Sequence, residues 1–216
     1  EQARFPFPPH GRITNFTGAR EAADRAMELP ELVEADAVKA NPDAPQLPLR
    51  RQLLKNGTTV YMAVPRLAEE RCFVELDPAT INDLDAAPTV SHMSTYGERV
   101  GPESLDEPDA IVAGSVAVTD SGVRIGKGEG YSDLEFAVLR ELGLVDDDTP
   151  TVTTIHDVQL IEESIDPDSY DVPMDIVCTP TRTIRADFGP KPAGIQWSAL
   201  GEPRRTEIPI LDRLGP

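Results

Sequence analysis

Apolar positions recur along this chain with two different periods, and the switches between them mark out its elements. An alanine-rich stretch at 18–29 carries the helical period, with Asn15 or Thr17 placed to cap it. A second helix is predicted over 30–39, with Pro30 in its first turn. Asn41-Pro42-Asp43-Ala44-Pro45 breaks that helix; the helical pattern resumes over 49–55 and stops at Asn56-Gly57. The run at 58–64 is rich in β-formers and reads as a buried parallel strand ended by Pro65, and 71–76 predicts another strand. The apolar run 110–118 is too continuous to alternate faces, which makes it the central-strand candidate. Gly122 closes a hairpin into 123–125. Leu134, Val138, Leu139 and Leu142 then give the i, i+4, i+5, i+8 spacing of an amphipathic helix ended by Gly143. Strands over 151–155, 174–178 and 183–185 follow. Residues 77–107, rich in Asp, Pro, Ser and Gly, are predicted as loops bordering a site.

Short strands alternating with helices imply an α/β fold whose sheet is mostly parallel, with the hairpin as its antiparallel element. The expected division is a domain over 1–188 and a Pro/Gly-rich C-terminal extension over 189–216. Such a length is enough to bury a substantial core. No apolar run approaches the roughly 18 residues of a membrane span, so no membrane partner is expected.

Charge changes this picture most. Thirty-eight acidic residues face twenty basic ones, for a net charge of −18, and the only lysines are Lys39, Lys55, Lys127 and Lys191. An acidic, lysine-poor surface with few aromatics is that of a protein kept soluble in high salt, where screening makes self-repulsion tolerable. The periodic apolar segments argue against disorder as the cause. The expectation is a halophilic protein in a high-salt cytoplasm. The same charge disfavours nucleic acid as a partner, because neutralising phosphates requires clustered bases. Cys72 and Cys178 lie far apart without CxxC spacing and read as small buried apolar residues. The chain begins at Glu1 rather than Met, so a segment upstream is also expected.

Candidate chemistry gathers at Arg124, Ile125, Gly126, Lys127, Gly128, Glu129, Gly130, Tyr131, Ser132 and Asp133. Strand, glycine loop and helix is the order that brings backbone amides and a helix N-terminus to a phosphate. By itself GxGxG serves an ordinary turn equally well. Arg124 and Lys127 either supply charge to a polyphosphate or pair with carboxylates of this acidic chain. Ligands of such sheets sit at the carboxyl ends of strands, where Asp133, Asp157 and Asp171 fall. Asp133 and Asp171 would meet the need of Mg²⁺ for one or two carboxylates beside substrate phosphates, provided their loops meet. The competing reading makes Asp133 a helix cap and Asp171 a turn residue. His156-Asp157 lacks a GxSxG partner and reads as a hydrogen-bonding loop.

The stretch 124–133 resembles the RxGxGxGYxD signature of the 5-formyltetrahydrofolate cyclo-ligase (methenyltetrahydrofolate synthetase) family. The aspartate and short apolar strand of Tyr170-Asp171-Val172-Pro173-Met174-Asp175-Ile176-Val177 resemble its second landmark. GRITNFTGA at 11–19, NPDAPQ at 41–46, GSVAV at 114–118, HDVQ at 156–159 and TPTR at 179–182 resemble the cyclo-ligase-like paralogue group, the methenyltetrahydrofolate synthase domain-containing proteins. The resemblance implies a three-layer α/β sandwich like that of ribose-5-phosphate isomerase and CoA transferases. It implies ATP as co-substrate and Mg²⁺, used to activate the formyl oxygen of 5-formyltetrahydrofolate so that N10 closes the ring to 5,10-methenyltetrahydrofolate. By position, 124–133 would wrap the nucleotide phosphates while Asp133 and Asp171 hold the metal. The chain departs from the signature at Glu129, where glycine or a base is usual, at Ser132, and at Leu134. A related heterocycle as substrate, or a non-catalytic nucleotide- or metabolite-binding paralogue linked to thiamin metabolism, is the alternative that the paralogue group carries.

Overall fold

The structure, a computed structural model, describes residues 2–215. In chain order its strands are β1 (Ala37–Ala40), β2 (Thr59–Ala63), β3 (Phe73–Leu76), β4 (Glu98–Val100), β5 (Ala110–Ala113), β6 (Ala117–Thr119), β7 (Arg124–Ile125), β8 (Thr151–Thr154), β9 (Leu160–Ile161), β10 (Ile176–Cys178) and β11 (Thr183–Arg185). The α-helices are α1 (Ala19–Ala26), α2 (Pro30–Val33), α3 (Leu47–Asn56), α4 (Met93–Tyr96), α5 (Tyr131–Glu141), α6 (Glu202–Glu207) and α7 (Pro209–Leu214). An 8-stranded sheet runs β11-β10-β8-β5-β1-β2-β3-β4, and a 3-stranded sheet runs β7-β6-β9. In the large sheet β10, β8, β5, β1 and β2 are mutually parallel, while β11, β3 and β4 add antiparallel edges.

Register fixes which side of this sheet each residue serves, because successive side chains point to opposite faces. Ala40 pairs with Val112, Val112 with Val152, and Val152 with Ile176, so these four share one face. Thr154, two residues after Val152, lies on that face and accepts hydrogen bonds on both oxygens from Gln46, just ahead of α3. The α1–α3 layer packs there. Lys39, Ile111, Thr151 and Thr153 lie on the opposite face, where Lys39 pairs with Glu135 of α5. The sheet is thus sandwiched between helical layers, the three-layer arrangement expected from the sequence.

One strand corrects the sequence reading. The helix predicted over 30–39 ends at Val33, and its last residues form β1, buried throughout between β2 and β5. Ala37, Lys39 and Ala40 favour helix locally, but burial between two strands overrides so weak a preference. The apolar run 110–118 also divides. Its first half is β5 of the central sheet, and after Gly114-Ser115-Val116 its second half becomes β6 of the small sheet. Beyond Gly189 the chain is folded against the body. Ile208, Ile210 and Leu211 are buried in the main core, and Lys191 Nζ reaches Asp175 Oδ2 at 2.9 Å and the Asp147 carbonyl at 2.7 Å.

Candidate functional site

The chain leaving β1 and β2 borders a cleft of about 650 Å³ whose other walls are residues 123–133 and 165–171. The glycine loop enters from β7 and ends at the N-terminus of α5. Each glycine has its own physical reason. A Cβ on Gly126 would stand 3.1 Å from Arg124 Nη1, and Gly128 and Gly130 adopt φ of 86° and 65°, a region that side chains disfavour. Gly130 caps α5, so that helix begins ahead of its apolar periodicity and turns its positive end toward the cleft.

Arg124 grips Asp133 in a two-pronged pair, Nη2 lying 2.7 and 2.6 Å from the carboxylate oxygens, with Nη1 donating to the Gly114 carbonyl at 3.1 Å. Their side chains are only 5% and 10% exposed, so the pair is shielded from water. Asp133 Oδ1 also accepts from the Val172 amide at 3.1 Å, which joins the glycine loop to the loop bearing Asp171. The two loops therefore meet. Asp171 Oδ2 accepts from the Asp168 amide at 2.9 Å. Burial pushes its carboxyl above the usual carboxylate range, and the charges of Asp133 and Asp168 push it further. Among the described residues no group of three His, Cys, Asp or Glu side chains could hold a metal by itself. Crowded carboxylates beside a phosphate-type loop instead suit a cation that arrives with phosphate oxygens. Lys127 pairs with Glu129 at 2.9 Å on the exposed side of the loop, which holds the Glu129 carboxyl below its ordinary value.

The sequence model of the 5-formyltetrahydrofolate cyclo-ligase family matches residues 8–180. The chain belongs to this family. It is 40% identical over 218 residues to the methenyltetrahydrofolate synthase domain-containing protein of Mus musculus, and equally to that of Bos taurus. Each match covers 98% of this chain but 58% and 57% of those proteins, so the chain spans less than two-thirds of their length. The solved structure of Aquifex aeolicus 5,10-methenyltetrahydrofolate synthetase shares the fold at 21% identity, with a TM-score of 0.52 over 80% of this chain and 82% of that one.

Within this cyclo-ligase fold the segments singled out by resemblance come together at the strand ends. Phe16 meets the His156 ring edge-on with centroids 6.0 Å apart, and a Cβ on Gly18 would lie 2.6 Å from Pro180 Cγ. Gln159 Nε2 donates to the carbonyls of Ser115 and Val116 at 3.3 and 2.9 Å. Asp157 accepts from the hydroxyls of Thr179 and Thr181, and His156 Nδ1 accepts the Val158 amide at 3.1 Å. His156-Asp157 is a hydrogen-bonded loop, as its sequence context implies.

Sequence reasoning missed four basic residues around the site. Lys39 is completely buried; it pairs with Glu135 and donates to Asn41 Oδ1 at 2.6 Å, and Asn41 Nδ2 in turn donates to Ser132 Oγ at 3.0 Å. A lone lysine inside Ala37-Val38-Lys39-Ala40 was the available signal. Arg50, its pKa pulled down to about 9 by burial, donates to the carbonyls of Asn41, Pro42 and Asp43 and so shapes the loop after β1. Arg204 of α6 donates to the Glu129 carbonyl and lies 5.0 Å from the centre of the Tyr131 ring, closing the far side of the glycine loop. Arg66, in the 3-10 turn Pro65–Leu67 that follows β2, lines the cleft.

Proposed function

We propose that the protein is a nucleotide-dependent cyclo-ligase that closes a ring on 5-formyltetrahydrofolate, or on a related heterocycle, with ATP and Mg²⁺. The observation that carries this reading is the meeting of the glycine loop and the Asp171 loop across one cleft, joined through Asp133 and the Val172 amide. Amides of 126–130 and the start of α5 face a phosphate chain, and Asp133 and Asp171 flank the place for Mg²⁺. Arg124 fixes the orientation of Asp133. When bound, the nucleotide supplies the phosphoryl group that activates the substrate oxygen. The substrate is a small molecule, taken up in a high-salt cytoplasm.

A second reading, a binding paralogue without turnover, is favoured by one feature: both cations of the glycine loop are paired internally, Arg124 with Asp133 and Lys127 with Glu129. Incubation with 5-formyltetrahydrofolate, Mg²⁺ and ATP in high salt separates the two. Growth of the methenyl chromophore is the expected result. Calorimetric ATP binding without product would support the second reading, and absence of ATP binding would overturn both.

A further inference from the structure

We propose that Arg66 is the cation that receives the nucleotide's terminal phosphates, a role that rests on the nucleotide reading above. The basic residues lining the cleft are Arg66, Arg124 and Lys127. Arg124 is buried in its two-pronged pair with Asp133, and Lys127 is paired with Glu129. Among the described residues, the Arg66 guanidinium makes no hydrogen bond and no ion pair; its charge is felt at Glu129, across from it on the glycine loop. A polyphosphate lying between that loop and β2 would meet backbone amides on one side and Arg66 on the other. A planar fork of donors suits two phosphate oxygens at once.

The backbone gives an independent reason. Arg66 has φ 61° and ψ 15°, and Leu67 follows at φ 51°. Consecutive non-glycine residues in this left-handed region are strained, and such strain persists only where surrounding structure imposes it. Here the anchors are visible. Leu67 is buried, its amide donates to the Val64 carbonyl at 3.1 Å, and the Val64 amide donates to the Cys72 carbonyl at 2.9 Å. Burial explains Leu67. It does not explain Arg66, which is exposed, gains no partner, and stands where glycine would fit with less strain. The bend aims the side chain into the cleft, and its use there is to meet an anion.

The test measures stability and affinity separately on the full chain. Arg66→Gly relieves backbone strain and removes the cation, so its unliganded melting temperature should rise while calorimetric affinity for MgATP falls about tenfold or more. Arg66→Gln should lose affinity with little change in melting temperature, and Arg66→Lys should recover part of it. A purely structural arginine would give opposite behaviour, with Arg66→Gly less stable and binding unaltered. Wild-type binding of MgATP with Arg66→Gly and Arg66→Gln within about twofold of it would overturn the role of Arg66 and leave the nucleotide reading intact. Failure of the wild type to bind MgATP, MgADP or pyrophosphate would overturn both.

Discussion

Asp133 shows how much one carboxylate is asked to do. It neutralises a buried arginine, accepts an amide from a second loop and stands at the cleft. Asp133→Asn leaves Arg124 buried without a counter-charge, which should cost about 3–5 kcal/mol in urea unfolding. The same variant reports on Asp171. Because burial and the charges of Asp133 and Asp168 raise the Asp171 pKa, the native state holds that proton more tightly than the unfolded chain. Its contribution to stability is therefore present at low pH and is lost as pH rises through the folded pKa, whereas its capacity for a cation grows over the same interval. Asp133→Asn removes a neighbouring negative charge and frees Arg124, so carboxyl ¹³C NMR should show the Asp171 midpoint moving down. Glu129→Gln releases Lys127 toward the cleft; calorimetry should show MgATP affinity rising by up to about fivefold. Unchanged affinity would mean that this loop does not meet the phosphates. The glycine loop was legible because each of its parts is local: a strand, glycines and a helix in succession. Arg66 was not, since neither its strained backbone nor its lack of a partner leaves any mark on residue spacing.

Among the elements, β1 was the hardest to read and matters most to the site. It sits between β2 and β5, it brings Lys39 to Glu135 of α5, and it leads straight into Asn41. Lys39→Met should destabilise by about 3–5 kcal/mol in chemical denaturation, because Glu135 is left charged and unpaired, whereas adding Glu135→Leu should recover most of that loss. The helix boundaries tell a similar story. Asn15 and Thr17 are good capping residues, yet Asn15 donates to the Phe5 carbonyl and Thr17 to the Gln2 carbonyl, and Gly18 at φ 88° caps α1 instead. A sequence window contains the capping residue types but not Pro180, whose close approach makes glycine necessary there. Long-range contact overrode local preference at both places, and most of the remaining elements followed their periodicity.

At the scale of the whole molecule, charge and the C-terminal segment decide behaviour. A net charge of −18 repels itself, so the melting temperature in calorimetry should climb as KCl is raised toward about 1 M, where screening shortens to about 3 Å. A stability independent of salt would remove the halophilic reading. No helix among the described residues is long and apolar enough to cross a membrane. Leu211 of α7 is buried in the main core, and Leu211→Ala should cost about 2–5 kcal/mol. That loss should also speed amide exchange at Gly130 and Tyr131, because α6 carries Arg204 to the glycine loop. Composition distinguished this segment from the rest but could not show its burial, since Ile195, Ile208, Ile210 and Leu211 are scattered among Pro, Gly and charged residues without a clear period.

The match to the cyclo-ligase family stops at residue 180, while the loop that carries its signature is completed by a side chain at 204. The signature is thus not a transplantable module in this chain. A chimera assembled by swapping the family-matched segment alone would inherit every glycine of the loop and lose the arginine that closes its far side. Engineers exchanging parts with relatives should move the boundary to include α6 and α7.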